Sequence, residues 1–178
     1  MEPSSERSAH QTSRQDRPTL PTSYGVAHDH DGMLSWGWVE EQLRDARSYW
    51  LATTRPDGRP QVIPVWGIWL DGKLLFGTST GSRKARNLAR NPAIAIHLES
   101  GDDVVILEGS ADELSDAALF ARYTDAYDAK YTIRPSDGTD DDAITYVVRP
   151  LRVLAWLERD FLKTPTRWTF ASDSPLGD

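Results

Sequence analysis

Two short turns constrain the fold of this chain more than any other feature, because they divide one apolar stretch into three β-prone segments. The first lies at residues 55–58 (Arg-Pro-Asp-Gly), with proline at the second position and glycine at the fourth, as a tight turn favours. The second lies at residues 71–72 (Asp-Gly), a typical two-residue hairpin connection. Strands joined by such short connections pair as antiparallel neighbours. The sequence therefore predicts a three-stranded meander over residues 49–78.

The middle strand of this meander, predicted over residues 61–70, contains Pro64. Proline cannot donate a backbone hydrogen bond to a neighbouring strand, so a strand that contains it either bulges or exposes an edge there. We expect one of these two irregularities at Pro64.

The rest of the chain continues the β pattern with helices between the strands. Apolar periodicity predicts four further strands, at 93–99, 104–111, 144–148 and 153–157. Residues that favour the helix N-cap predict three helix starts, at Ser35, at Ser82 and at Ser115 or Asp116. About seven mostly antiparallel strands with two or three peripheral helices indicate a mainly β (α+β) fold. We expect a closed or nearly closed β-barrel with helices at its ends.

Composition bounds the domain organisation and the partners. Residues 1–31 are polar and show no hydrophobic period, so we predict a disordered N-terminal tail followed by one domain over 32–178. The formal net charge of −7 argues against nucleic acid as the main partner. No apolar run approaches the ~20 residues that span a bilayer, so we predict no membrane partner. The chain has no cysteine, which excludes disulfides and fits a cytoplasmic setting.

The loop at residues 78–87, between a strand and a helix, is the positive indication of function. It supplies several hydroxyl groups, a glycine that permits close backbone approach, and the cations Arg83 and Lys84. The first turn of a helix favours acidic residues and attracts anions, so cations there break a local rule as functional sites do. The loop predicts a phosphate clamp. The alternative is an exposed, serine-rich turn with solvated cations.

Several catalytic patterns are missing from the sequence. It contains no G-x-G-x-x-G run between a strand and a helix, no P-loop spacing, no G-x-S-x-G and no His-x-x-x-His pair. Its many carboxylates form no pair that would serve as acid and base. We predict no metal site, and the sequence identifies no catalytic residue.

The order of these features resembles the pyridoxamine 5′-phosphate oxidase-like family of split β-barrels. The resemblance rests on the strand, turn and strand pattern, followed by residues 76–78 (Phe-Gly-Thr) and 81–85 (Gly-Ser-Arg-Lys-Ala), and it covers about residues 49–111. It implies a split barrel of about six to seven strands. It also implies a homodimer that binds flavin mononucleotide (FMN) or the deazaflavin coenzyme F420 at the dimer interface.

The same resemblance implies roles for individual residues. Ser82, Arg83 and Lys84 would hold the cofactor phosphate, the strand over residues 61–66 would lie along the flat ring, and Thr78 would sit beside that ring. Further hydrogen bonds and pocket walls complete the set. The predicted cofactor-binding residues are Gln61, Val62, Pro64, Val65, Trp66, Thr78, Ser79, Ser82, Arg83, Lys84, Asn87 and Trp168.

Two details favour the deazaflavin branch of this family. Gln61 stands where flavin-binding oxidases often carry arginine, and residues 61–66, 97–105 and 166–170 look like deazaflavin-dependent reductases. The chain also lacks a C-terminal Arg-x-His and has no histidine after His97, which argues against oxidation of pyridoxamine phosphate. The resemblance implies an oxidoreductase that moves a hydride from reduced F420 to a small organic acceptor.

Three alternatives remain beside this prediction. One is an FMN-dependent oxidoreductase of the same fold. Another is a non-catalytic protein that binds a flavin or deazaflavin. The third is a haem-handling relative, which would need a histidine ligand, and only His97 lies within the predicted fold.

Overall fold

The computed structural model of the protein describes residues 13–135 and 142–171. Within them the strands are β1 (Ser13–Asp16), β2 (Tyr49–Thr54), β3 (Pro60–Val65), β4 (Ile68–Leu70), β5 (Lys73–Ser79), β6 (Ala93–His97), β7 (Asp103–Glu113), β8 (Ala143–Leu157) and β9 (Thr166–Phe170). The α-helices are α1 (Trp36–Asp45), α2 (Arg83–Leu88) and α3 (Ala117–Tyr131), and short 3-10 turns lie at Thr22–Tyr24 and Glu158–Asp160. The predicted mainly β (α+β) fold is confirmed.

All nine strands of the described residues belong to one antiparallel sheet, which does not close into a barrel. Its main path runs β1-β9-β8-β7-β6-β2-β3, while β5 pairs with β8 and β4 pairs with β5. Strand β3 pairs only with β2 among the described strands, and β4 covers only Lys73–Leu75 of β5. The outer edge of β3 and the part of the β5 edge that β4 does not cover therefore have no partner among the described strands. Together they form the opening of a split barrel. Of the two expected forms, closed or nearly closed, the open sheet excludes the closed one, and the predicted split β-barrel is confirmed.

Both predicted turns form, because their residues accept a left-handed backbone. Asp71 and Gly72 have φ values of 51° and 72°, as a two-residue hairpin requires, and Gly58 has a φ of 80°. These turns bring β2 against β3 and β4 against β5.

The predicted middle strand divides into β3 and β4, so the meander has four strands instead of three. Pro64 lies opposite Trp50 in an unbroken register, and β3 is an edge strand, so Pro64 marks an edge and not a bulge. The chain leaves β3 at Trp66 and Gly67. A Cβ atom on Gly67 would lie 2.9 Å from the Leu75 carbonyl oxygen, so glycine permits this close crossing.

The two last predicted strands are one continuous strand, β8, despite Pro150 in its middle. The register with β7 shifts between Glu108 and Gly109, and Gly109 lies opposite Pro150. A Cβ atom on Gly109 would lie 2.2 Å from the Arg149 carbonyl oxygen. Pro150 disturbs the regular pairing of β8 with β7. Gly109 of β7 accommodates this disturbance because it has no side chain.

The N-terminal segment is more ordered than the sequence indicates. Strand β1 pairs with β9, and Asp16 accepts hydrogen bonds from the Arg167 guanidinium at 2.6 and 2.9 Å. Arg17 donates to the backbone carbonyls of Asp29 and Asp31 at 2.7 and 2.6 Å. For residues 13–31 the predicted disordered tail is corrected, while residues 1–12 lie outside the described residues. This segment is held by polar contacts. Such contacts require no hydrophobic periodicity, so the sequence pattern does not indicate them.

An aromatic cluster occupies one part of the core. Trp36, on α1, contacts Trp69, Trp168 and Phe170 at ring-centroid distances of 6.4, 5.6 and 5.2 Å. Helix α1 begins at the predicted N-cap, where the Ser35 hydroxyl accepts from the Trp38 N–H at 3.2 Å. No helix within the described ranges combines the length and apolar character that a membrane crossing requires.

Candidate functional site

The loop between β5 and α2 is closed by its own hydroxyl groups. The Ser82 Oγ accepts from the Ala85 N–H at 3.2 Å, which confirms the predicted N-cap, and the Thr78 hydroxyl donates to Ser82 Oγ at 3.2 Å. The Ser79 Oγ accepts from the Gly81 N–H at 3.1 Å, and the Arg86 guanidinium donates to the Gly81 carbonyl oxygen. These contacts hold the loop in one shape before any ligand arrives.

Asn87 fixes α2 to the split side of the sheet. Its side chain is buried and donates to Thr53 Oγ1 at 2.9 Å and to Gln61 Oε1 at 3.0 Å. Both amide hydrogens are therefore used within the protein. The sequence prediction placed Asn87 beside Arg83 as a cofactor contact, whereas the structure gives Asn87 an anchoring role.

Arg83 and Lys84 are the two cations of the predicted clamp, and nothing within residues 13–135 and 142–171 neutralises them. Neither side chain forms an ion pair or hydrogen bond with a described residue. Arg83 is exposed, whereas Lys84 is half-buried, and this burial lowers the pKa of the Lys84 ammonium group. Since α2 has six residues, these side chains and not a helix dipole supply the positive charge.

Strand β3 places the predicted ring-binding residues on two different faces. Val62 and Pro64 lie on the outer face, where Val62 is 53% exposed, and they pair with Ala52 and Trp50 of β2. Gln61 and Val65 alternate to the other face and are half-buried. A flat ligand along this strand could contact side chains from only one face, together with the free backbone edge.

Trp66 directly follows β3 and is 38% exposed, and its ring contacts two residues that the sequence pattern did not predict. Its ring stacks on Tyr131 with a centroid distance of 4.7 Å and an interplanar angle of 3°, and the Arg47 guanidinium lies 5.4 Å from the Trp66 ring centroid. The tyrosines of α3 at positions 123, 127 and 131 recur every fourth residue, which is the sequence signal for such a face.

The last turn of α3 also holds the crossing after β3. The Tyr131 hydroxyl accepts from the Gly67 N–H at 3.1 Å and lies 2.8 Å from the Arg47 carbonyl oxygen. The Lys130 ammonium group donates to the carbonyl oxygens of Arg44 and Gly67 at 3.2 and 3.4 Å. Burial lowers the pKa of Lys130. These contacts fix the position of Trp66.

Two residues lie away from the predicted clamp: Trp168, a predicted cofactor-binding residue, and His97, the candidate haem ligand. Trp168 is 1% exposed within the aromatic core, on β9, and its contacts are with core residues such as Trp36. The structure therefore gives Trp168 a core role in place of the predicted pocket wall. His97 stacks on Trp50 with a ring-centroid distance of 6.2 Å on the outer face of β6. Across the ranges that the structure describes, no cluster of metal-ligating side chains occurs.

The structure brings one compact group of predicted residues together. Ser82 bonds to Thr78 of β5, and Asn87 bonds to Gln61 of β3, so α2 connects the strands that border the split. Arg83 and Lys84 add two uncompensated charges to this helix. An open antiparallel barrel with a cationic loop and helix at its split defines a protein of the split β-barrel class.

The comparison with family models places the chain within that class. The family model described as pyridoxamine 5′-phosphate oxidase matches residues 38–157. The chain therefore belongs to the pyridoxamine 5′-phosphate oxidase family, as the sequence resemblance indicates.

Individual relatives agree with this assignment. A pyridoxine/pyridoxamine 5′-phosphate oxidase of Bacteroides thetaiotaomicron is 30% identical over 74% of this chain, and the chain spans 61% of that relative's length. The solved structure of a conserved hypothetical protein from Mycobacterium tuberculosis is 25% identical with a TM-score of 0.63, covering 75% of this chain and 91% of its own. A solved structure named F420 reductase is 33% identical with a TM-score of 0.51, covering 64% of this chain and 94% of its own.

Proposed function

We propose that this protein is an oxidoreductase that binds coenzyme F420 and uses its reduced form to transfer a hydride to a small organic acceptor. Membership of the pyridoxamine 5′-phosphate oxidase family supports the reaction class. The 33% identity to a protein named F420 reductase supports a deazaflavin as the cofactor.

The observation that carries the proposal is the pair of uncompensated cations beside the split. A half-buried ammonium group with no counter-charge in the described chain is unfavourable, as the lowered pKa of Lys84 reflects. A phosphate group would supply that counter-charge and accept charge-assisted hydrogen bonds from Lys84 and Arg83. The donor set of this loop therefore fits the phosphate of a flavin or deazaflavin nucleotide.

The cofactor, when bound, supplies the hydride chemistry. Lys84, Arg83 and the hydroxyl groups of Ser82 and Ser79 would bind its phosphate. Asn87 would orient α2, and with it the clamp, because its amide group donates hydrogen bonds to Thr53 and Gln61. The edge of β3 and the ring of Trp66, which stacks on Tyr131, would orient the flat part of the cofactor and exclude water from one side of it. A proton for the product would come from solvent.

A homodimer forms the second part of the proposal. The outer face of β3, β2 and β6 is apolar and uncharged at Val62, Pro64, Trp50, Ala52 and Ala95. Such a face favours a partner over solvent, and a second copy would place its own groups near the edge of β3. The cofactor would then bind at the interface between the two copies.

Cofactor titration tests the proposed identity. We expect the protein to quench the fluorescence of F420 on binding with at least tenfold higher affinity than for FMN. The reduced cofactor would then be consumed when a suitable acceptor is added. Tight FMN binding without F420 binding would contradict the deazaflavin proposal.

FMN is the second candidate cofactor, because several curated relatives are named pyridoxine/pyridoxamine 5′-phosphate oxidase. Binding of either cofactor without turnover of any acceptor would support the non-catalytic alternative. The cytoplasmic setting stays a prediction from the cysteine-free sequence.

A further inference from the structure

A cavity of about 410 Å³ lies between β5 and α3. This volume is within the range of ligand pockets for small molecules. Its walls come from the end of β5, the end of β7, one face of α3 and the start of β8. Among the predicted clamp residues only Thr78 lines it, so the cavity is a neighbour of the clamp and not part of it.

Three aromatic side chains of α3 form one wall of this cavity. Phe120 and Tyr123 have ring centroids 6.2 Å apart, and Tyr123 and Tyr127 have ring centroids 5.6 Å apart with an interplanar angle of 64°. Aromatic walls favour flat ligands through stacking and edge contacts, and their faces attract cations.

The charge of the cavity is set by Glu113. Among the lining residues that the structure describes, Glu113 is the one carboxylate, and none is a lysine, arginine or histidine. Its side chain is exposed and forms no hydrogen bond or ion pair with a described residue. The hydroxyl groups of Thr78 and Thr145 add neutral hydrogen-bonding capacity. The cavity therefore combines an aromatic wall with one unpaired negative charge.

We propose that this cavity binds a small planar organic cation, such as an amidinium or a protonated aromatic amine, with its charge at Glu113 and its ring against Phe120, Tyr123 and Tyr127. Anionic ligands are disfavoured there because they would face the carboxylate, and no described lining residue supplies a compensating cation. Binding at this site does not require the proposed redox activity.

Thr78 connects the cavity to the clamp. Its hydroxyl donates to Ser82 Oγ at 3.2 Å, and Ser82 caps the helix that carries the two cations. An organic cation only donates hydrogen bonds, so it would bind the lone pairs of the Thr78 oxygen and leave the bond from Thr78 to Ser82 in place.

The test uses benzamidine as a planar cationic probe, with benzamide and benzoate as neutral and anionic probes of similar shape. Backbone amide shifts of the full chain locate the site, and we expect those of Gly77, Thr78 and Thr145 to move with benzamidine, with a dissociation constant on the order of 1 mM. Benzoate should bind at least tenfold more weakly.

Two variants and one control decide the outcome. Glu113→Gln should weaken benzamidine binding about tenfold and leave benzamide binding within about twofold. Glu41→Gln removes an equal charge at an exposed site on α1 and should change neither. Ala143→Trp at the start of β8 should block both probes by filling the cavity.

Unchanged benzamidine affinity in Glu113→Gln, an equal loss in Glu41→Gln, or shifts confined to amides elsewhere would overturn the proposal. F420 titration of the same variants is a separate measurement, so a failure of the redox proposal is distinguishable from a failure of the cation site.

Discussion

At the scale of single residues, adjacent residues of one motif take different roles. Ser82 caps the helix and closes the loop, whereas the Arg83 side chain is exposed to solvent. The Lys84 side chain is half-buried and has no counter-charge among the described residues. Asn87, from the same helix, donates both amide hydrogens to Thr53 and Gln61. Sequence spacing predicts that these residues share a helix, but it does not separate anchors from ligand contacts.

Lys84→Ala should weaken cofactor binding while preserving the fold. A charge-assisted hydrogen bond contributes about 1.5–3 kcal/mol, so affinity should fall roughly tenfold to a hundredfold. The variant should keep or slightly raise the melting temperature, since it removes a desolvated charge. Fluorescence titration and thermal denaturation measure the two effects.

Lys163→Ala is the matched control for Lys84→Ala, because it removes the same charge from an exposed side chain before β9. Its cofactor affinity should equal that of the wild type. If Lys84→Ala lowers the melting temperature and leaves the affinity unchanged, then Lys84 is a structural residue and the clamp is elsewhere.

At the scale of elements, two attachments join segments of the fold that are distant in the chain. Helix α3 ends on the crossing between β3 and β4 through Tyr131 and Lys130, and its tyrosines continue to the cavity beside β5. Strand β1 is attached to β9 through backbone pairing and the Asp16 to Arg167 ion pair. In neither case does the local sequence identify the partner, because each attachment joins residues far apart in the chain.

Asp16→Asn should loosen β1 in a pH-dependent way. The hydrogen bond from Arg167 holds the pKa of the Asp16 carboxyl below its ordinary value of 3.8. A carboxyl with a lowered folded pKa stabilises the fold above the unfolded pKa, and this stabilisation is lost as the pH falls through the folded pKa. The variant should therefore lose about 1 kcal/mol of unfolding free energy at pH 7.

Urea denaturation between pH 7 and pH 2 measures this difference, which should stay constant down to about pH 5 and shrink below pH 3.8. Asp128→Asn is the control, because the exposed Asp128 carboxylate forms no hydrogen bond or ion pair with the described residues. A pH-independent loss in Asp16→Asn would show that the ion pair does not hold β1.

At the scale of the whole molecule, the open sheet leaves an apolar outer face on β3, β2 and β6. Val62→Asp should place a charge in the proposed dimer interface and yield a monomer of 20.0 kDa by light scattering. Because the cofactor is proposed to bind at this interface, its affinity should also fall at least tenfold.

Leu162→Asp is the matched control, since Leu162 is 54% exposed and Val62 is 53% exposed. This variant should remain dimeric. A monomeric wild type, or a dimer that Leu162→Asp breaks and Val62→Asp does not, would contradict the proposed interface.

The sequence by itself determined the local features of this protein. Turns at 55–58 and 71–72, the N-caps at Ser35 and Ser82, and the clamp motif depend on residues adjacent in the chain, so local backbone preferences specify them. The same locality explains the family resemblance, since the motif and its flanking strands are contiguous.

Only the tertiary structure decided which edges stay open and which groups meet. The continuity of β8 through Pro150 depends on Gly109 of another strand, and the position of Trp66 depends on Tyr131 of a distant helix. The attachment of β1 to the sheet involves the ion pair between Asp16 and Arg167, which is distant in the chain. These contacts join residues far apart in sequence, and their energies depend on packing and desolvation that no single segment encodes.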